Sequence, residues 1–265
     1  AAAMVMSTVP ATPVQAAGGK TLAVSSQKQL NQALKTVKGK NAVITVKAGK
    51  NVKITIPKGT YKVTIRVVGK KAAVVNNGTV KEIVVNSKGT VAIKNNGTIK
   101  KVTVQNAKSV SFSGNHKKAV PVVVNAEDVS MILAAPAKIT AKKDVNIVLK
   151  KGAEKSSITC TKNVQAQVDN QTKKAISVKI ADGTTLKVES GESCTITPKG
   201  KKEDTSGEDK TDGKDQKTDD TSDGNASSGS SSSGNSSGGT TVETPSKLTE
   251  ADLLKQGYQL KWQDN

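Results

Sequence analysis

Apolar and polar residues alternate in short runs along most of the first 198 positions, for example at residues 79–85 and 90–94. A period of two is that of a β-strand with one face buried. The runs also repeat. Gly-Thr-apolar occurs at Gly59-Thr60-Tyr61, Gly78-Thr79-Val80 and Gly97-Thr98-Ile99, a step of 19 residues each time. Val91, Val110, Val129 and Val148 keep the same step, as do Ser87, Asn106, Asn125 and Asp144, and Ile93, Phe112 and Met131 follow it for three turns. No single copy can cover its own apolar face. Stacking the copies along one axis solves this, because equivalent strands then pair in parallel about 4.8 Å apart and equivalent side chains form columns inside the coil. The pattern predicts an all-β chain, a parallel β-solenoid with about 19 residues per rung over residues 21–198. Gly59, Gly78 and Gly97 mark one corner, and Asn106 and Asn125, within the Ser/Asn/Asp series, mark another where short polar side chains bond turn amides. Strands from about Val43 to Val168 predict about seven rungs, a coil on the order of 30–35 Å tall. Around residues 120–124 the inward set slips by one position, which predicts a bulge.

Both ends of such a coil need covers. Leu30, Ala33, Leu34 and Val37 fall at i, i+3, i+4 and i+7, with Ser26 and Gln29 spaced as a capping box and Gly39 as a stop, so a short helix is expected over the N-terminal end. At the other end residues 176–180 and 184–188 flank Ala181-Asp182-Gly183, which predicts a closing hairpin.

Composition then restricts the core. Tyr61 and Phe112 are the only aromatics in the first 198 residues, so Val, Ile, Leu and Ala must do the packing. Those residues carry 32 basic against 9 acidic side chains, a net +23, and Arg66 is the only base among them that is not lysine. Two readings of this charge stand side by side: solubility with protection of open strand edges, or attraction of a polyanion such as an anionic polysaccharide or cell-wall polymer. Arginines and interleaved aromatics that would read or stack on bases are missing, so no nucleic-acid partner is expected. Residues 1–16 resemble the remains of an export signal, small and apolar and ending Val14-Gln15-Ala16, with no initiator Met or basic start. No stretch approaches the roughly 20 apolar residues of a membrane span. A secreted or cell-surface protein and a monomer are the expectations, with the sequence read as a fragment that lacks its first residues.

Cys160 and Cys194 lie 34 residues apart. Either they form a disulfide across the C-terminal end, stabilising by roughly 3–4 kcal/mol, or they are two buried free thiols. The nine acids, Glu82, Glu127, Asp128, Asp144, Glu154, Asp169, Asp182, Glu189 and Glu192, do not align at 19-residue steps, and Glu127-Asp128 is expected at an exposed corner. His116, the only histidine, is expected as a solvent-exposed turn residue. No catalytic residue, cofactor or metal site is therefore expected.

Residues 199–245 are almost entirely Lys, Asp, Glu, Thr, Ser, Gly and Asn, with 6 lysines and 10 acids, too polar to bury a core; a disordered linker is expected there, reaching about 35–40 Å. Residues 246–265 regain apolar content with no evident partner within the chain, as at the truncated start of a second domain.

Two resemblances follow from these residues. The segment Ser25-Ser26-Gln27-Lys28-Gln29-Leu30-Asn31-Gln32-Ala33-Leu34-Lys35, followed by Val/Ile rungs with Asn and Gly corners, resembles the parallel β-helix proteins of the pectin-lyase-like class over residues 21–175, which implies a right-handed coil. Enzymes of that class use clustered carboxylates, which this chain lacks. The end of the tail, Gly257-Tyr258-Gln259-Leu260-Lys261-Trp262-Gln263-Asp264-Asn265, resembles the opening strand of glycoside hydrolase family 16, whose usual Leu-x-Trp-x-Asp-Glu is met by Leu260, Trp262 and Asp264 but not by Asn265. It implies a β-glucan-cleaving domain further on, with the solenoid as a non-catalytic accessory module. A structural or adhesive surface protein with no enzyme attached is the alternative.

Overall fold

The structure is a computed structural model and describes residues 20–48, 51–198 and 258–264. It is a parallel β-solenoid of about eight turns with about 19 residues per turn and one short helix. The chain opens with β1 (Lys20–Val24), passes through α1 (Gln27–Thr36) and returns as β2 (Ala42–Ala48), which pairs in parallel with β1. One broad face then climbs through the first half of β4 (Val63–Asn76), the first half of β6 (Glu82–Asn95), β8 (Val102–Asn106), β10 (Val120–Val124), β12 (Ala137–Ala141), β14 (Ser157–Cys160) and β16 (Ile176–Lys179). The second broad face holds β3 (Val52–Ile56), the later halves of β4 and β6, and then β9 (Ser109–Ser113), β11 (Val129–Ala134), β13 (Val145–Leu149) and β15 (Ala166–Asn170). A narrow third face is made by β5 (Thr79–Val80) and β7 (Thr98–Ile99), with Thr60 bridged to Thr79.

Alternation puts every second residue inside. Ile44, Ile65, Ile83, Val102, Val122, Ile139, Ile158 and Val178 form one continuous inward column, each paired with the next, and all are buried. The parallel pairing leaves no freedom to slip, because a one-residue shift would turn the whole column to solvent. On the second face the column is Ile54, Val74, Ile93, Phe112, Leu133, Leu149 and Asn170. Its intervals correct the uniform 19-residue step. Phe112 is followed 21 residues later by Leu133, with Met131 lying above Val110 instead, and the next interval, Leu133 to Leu149, is only 16. Val148 consequently faces outward, half-buried, beside Ile132. The irregularity lies in the turns. Residues 114–119 hold one residue more than the equivalent turn below, and the following corner shrinks to Ala135-Pro136, so the slip expected as a bulge at residues 120–124 is absorbed in a loop and β10 keeps an unbroken register with both neighbours.

Both ends are covered. Leu30, Ala33, Leu34 and Val37 of the α1 region are buried on the first turn. Ser26 caps the helix by accepting from Gln29 N, while Gln29 Oε1 reaches back to Ser25 N at 2.7 Å, one residue earlier than in the usual capping box. Gln27 Oε1 accepts from Thr55 N at 2.6 Å and Gln27 Nε2 donates to Thr55 O at 2.8 Å, so one helix side chain replaces the missing neighbouring strand along the edge of β3. Gln27→Ala leaves both backbone groups without these partners and is expected to cost about 1–3 kcal/mol, read from the urea midpoint; an unchanged midpoint would mean that the cap does not guard this edge.

At the far end parallel pairing gives way to antiparallel. The expected hairpin is present, with β16 paired to β17 (Thr185–Val188), and β18 (Glu192–Pro198) runs antiparallel on β15. β19 (Tyr258–Asp264) adds to β18. The apolar end of the tail was expected to lack a partner within the chain, but Leu260 is buried against the core cluster. The expected export signal at residues 1–16 and linker at residues 199–245 lie outside the described residues.

Candidate functional site: the third face of the N-terminal turns

The Gly-Thr-x-Lys repeat builds a surface. Thr79 pairs with Thr98 and Val80 with Ile99; Val80 and Ile99 point inward and are buried, so the residues on either side point outward. Thr60, Thr79 and Thr98 thus form one outward column. Lys62, Lys81 and Lys100 follow two residues on, all exposed, with Lys100 N bonded to Val80 O. Gly97 makes this stacking possible, since a Cβ there would strike the Gly78 carbonyl of the turn below. Gly59 and Gly78 occupy the two preceding places in the same corner. Beside them, Asn96 Nδ2 donates to Asn77 Oδ1 at 3.0 Å, an exposed amide pair linking two rungs.

An interior ladder stands behind that pair. Asn76 Nδ2 donates to Asn95 Oδ1 at 2.8 Å and to Gly78 O at 2.9 Å, and both asparagines are buried. The ladder stops there. The next turn has Gly114, at φ +128, where a Cβ would run into the Asn95 backbone, and Asn95 Nδ2 is left without an acceptor. Above it the third face itself ends, because the next corner is only Ala135-Pro136. This step leaves a cleft of about 480 Å³ lined by Asn96, Thr98, His116, Lys117 and Lys118 among others. At the other end of the threonine column a cleft of about 490 Å³ lies between α1 and the 57–61 turn, lined by Asn31, Lys35, Lys38, Lys58, Thr60 and Tyr61 among others.

His116 is not the simple exposed turn residue expected from the sequence. It is half-buried, with Nδ1 3.2 Å from Asn95 O and Nε2 2.9 Å from Pro136 O, so it ties its turn to the turns below and above. Carbonyl oxygens only accept, so a ring carrying both protons bonds both and a neutral ring bonds one. Its ring meets Phe112 edge-on with centroids 5.2 Å apart.

Lysines occur along the whole coil, but the acids do not. Residues 20–126 carry 21 basic side chains and a single acid, Glu82, whereas residues 127–198 carry 11 bases and 8 acids. The coil therefore has a strongly cationic N-terminal part and a nearly balanced C-terminal part. Glu82 is itself engaged, 3.7 Å from Lys101 Nζ and accepting from Thr103 Oγ1 at 2.6 Å. The later acids serve local structure. Glu127 pairs with Lys143 at 2.7 Å at an exposed turn, which together with Asp144 raises the lysine above its ordinary pKa. Glu154 accepts from Gly152 N, which holds its carboxyl below the ordinary carboxylate value. Asp144 accepts from Gln165 N and Asp182 from Thr184 N. Among the described residues no three of His, Cys, Asp and Glu gather as ligands of a metal would. No helix among them is long and apolar enough to cross a membrane.

The other corner residues are spread out. Asn106 ends β8 and Asn125 follows β10, both exposed, while Ser87 is buried and bonds the Gly69 carbonyl and Gly89 N. Cys160 and Cys194 are buried free thiols. Burial pushes both up to about 12. Only the thiolate reacts readily with alkylating agents, so iodoacetamide at pH 8 is expected to label neither cysteine in the folded protein and both after denaturation; fast labelling of the folded chain would contradict this burial. Because the folded values lie above the ordinary 9.0, these thiols leave stability untouched below about pH 9 and lower it as the pH rises from there towards 12.

The chain matches no protein-family model, no curated protein and no solved structure.

Proposed function

We propose that this chain is a non-catalytic, lysine-rich solenoid module of an exported protein, serving attachment to an anionic surface or glycan. The observation that carries this reading is the distribution of charge: 21 bases against one acid over residues 20–126, in the part of the chain that forms the N-terminal turns of a parallel solenoid. Such a field raises the local concentration and encounter rate of polyanions. The acids that a solenoid enzyme of the pectin-lyase-like kind would cluster on adjacent rungs are here dispersed over strands and turns, which supports a role without chemistry. The small, apolar residues 1–16 support export to the cell surface or beyond, and the likeness of residues 257–265 to the opening of a family 16 glycoside hydrolase supports a β-glucanase-like domain as the cargo. Tethering an enzyme near its substrate raises its effective concentration there.

One observation favours the second reading, a structural or adhesive surface protein. Leu260, part of the hydrolase-like segment, is buried against the solenoid through the pairing of β19 with β18, which gives that segment a role in closing the coil. Reading the coding sequence past the codon for Asn265 discriminates: a downstream strand with paired catalytic glutamates supports the enzyme-linked reading, and finding none removes it.

The test of the shared claim is retention of the full chain on acidic polysaccharide and on cell-wall material across a salt series. Retention at low salt that weakens as salt rises is expected. Retention that is the same at low and high salt would refute the electrostatic account.

A further inference from the structure

Within that reading, the geometry points to one track: we infer that a linear polysaccharide with a carboxylate on each sugar lies along the coil axis on the third face of the N-terminal turns. The inference rests on the polyanion reading and adds where the chain sits and what it must look like.

The track has three properties that a merely basic surface lacks. Two of its cations are in register: Lys81 and Lys100 lie on successive turns, and the pairing of Val80 with Ile99 sets their spacing at one strand separation, about 4.8 Å, while Lys62 follows Thr60 on the turn below, where the register moves by one residue between Thr60 and Thr64. A parallel column of hydroxyls, Thr60, Thr79 and Thr98, runs two residues away on the same face. An exposed amide pair, Asn77 and Asn96, flanks the threonines. A charged column beside a neutral hydrogen-bonding column matches a chain that repeats one acid and several hydroxyls in every unit.

The face also has two ends. The α1 cleft, with Lys35, Lys38 and Lys58, opens at Thr60, and the cleft with Lys117 and Lys118 opens at Thr98. Both have room for a sugar, and both keep lysines at the rim. Beyond the second cleft the third face is lost at Ala135-Pro136, so the track cannot continue into the balanced C-terminal turns. Among the described residues Glu82 is the one carboxylate of the N-terminal turns, and its engagement by Lys101 and Thr103 reduces its competition with an incoming acid.

Two sets of variants of the full chain test this, with binding to soluble polygalacturonate measured by affinity electrophoresis. The track set is Lys62→Gln, Lys81→Gln and Lys100→Gln together; the control set is Lys70→Gln, Lys71→Gln and Lys88→Gln together, also exposed but at a different corner. Both sets remove the same charge. The track set is expected to raise Kd about tenfold and the control set less than about threefold. Thr79→Val with Thr98→Val, which leaves the charge unchanged, is expected to weaken binding to the polyuronate as well, because it removes only hydroxyls. Equal weakening by the two lysine sets would overturn the track while leaving the general polyanion reading intact. Tighter binding to a phosphodiester wall polymer than to polygalacturonate would overturn the carboxylate assignment. Failure of the unmodified chain to bind any polyanion would remove the underlying reading together with the track.

Discussion

Phe112→Ala is expected to lower the stability of the solenoid by about 3–5 kcal/mol, the range for removing a large buried aromatic. Phe112 is 1 % exposed and lies in the column between Ile93 and Leu133. Nothing near it can refill the space. The surrounding core consists of branched aliphatics on parallel strands whose registers are fixed on both sides, and such strands cannot collapse inward without breaking their ladders. The same ring braces His116, which ties three successive turns together, so the loss also loosens the 114–119 turn. Urea unfolding gives the value, and hydrogen exchange at residues 114–119 reports the local part. A loss below about 1 kcal/mol would show that the coil relaxes around the cavity and that the column is less rigid than the register implies.

Gly97→Ala is the second large effect, expected at about 1–3 kcal/mol, typical of overpacking against atoms that cannot move aside. The added methyl meets backbone, the carbonyl of Gly78 directly below, not the end of a flexible side chain. To admit it, the 96–98 turn must lift away from the 77–79 turn, which stretches the Thr98 N bond to Gly78 O, 2.9 Å long in the native fold. The consequence extends to the surface, because Thr98 and Lys100 leave the columns of Thr79 and Lys81. A urea midpoint lowered together with faster exchange of the Thr98 amide is the expected pair of results. An unchanged midpoint would mean that the turns are not stacked as closely as described.

The coil was readable because its repeat is nearly regular where it is clearest. Gly-Thr-apolar at 19-residue intervals gives both the strand pairing and the third face, and the i, i+3, i+4, i+7 pattern of Leu30 to Val37 gives the cap. The 19-residue step fails after Phe112 for a physical reason: turns can lengthen or shrink without disturbing inward alternation, so a chain that shortens one corner to Ala135-Pro136 still looks periodic while its partners change. Asn76 and Asn95 were missed because an Asn-Asn pair before glycine looks like an exposed turn, and only stacking shows that the first amide of each pair turns inward. His116 has its partners about 20 positions away on either side, beyond what neighbouring residues reveal. The charge asymmetry was present in the sequence throughout. Lysines are so evenly spread that the informative quantity, the confinement of the acids of residues 20–198, all but Glu82, to residues 127–198, becomes meaningful only when chain position is also height along an axis. The pairing of β19 depended on which edge strand was left open, which composition does not encode.

Lysine footprinting tests the central claim most directly. The full chain is acetylated briefly with and without saturating acidic polysaccharide, and protection is read at each lysine by mass spectrometry. The expected result is strong protection of Lys58, Lys62, Lys81, Lys100, Lys117 and Lys118, with little change at Lys150, Lys151, Lys173, Lys174 and Lys187. Uniform protection along the coil, or protection confined to the C-terminal turns, would contradict a binding surface built on the N-terminal half.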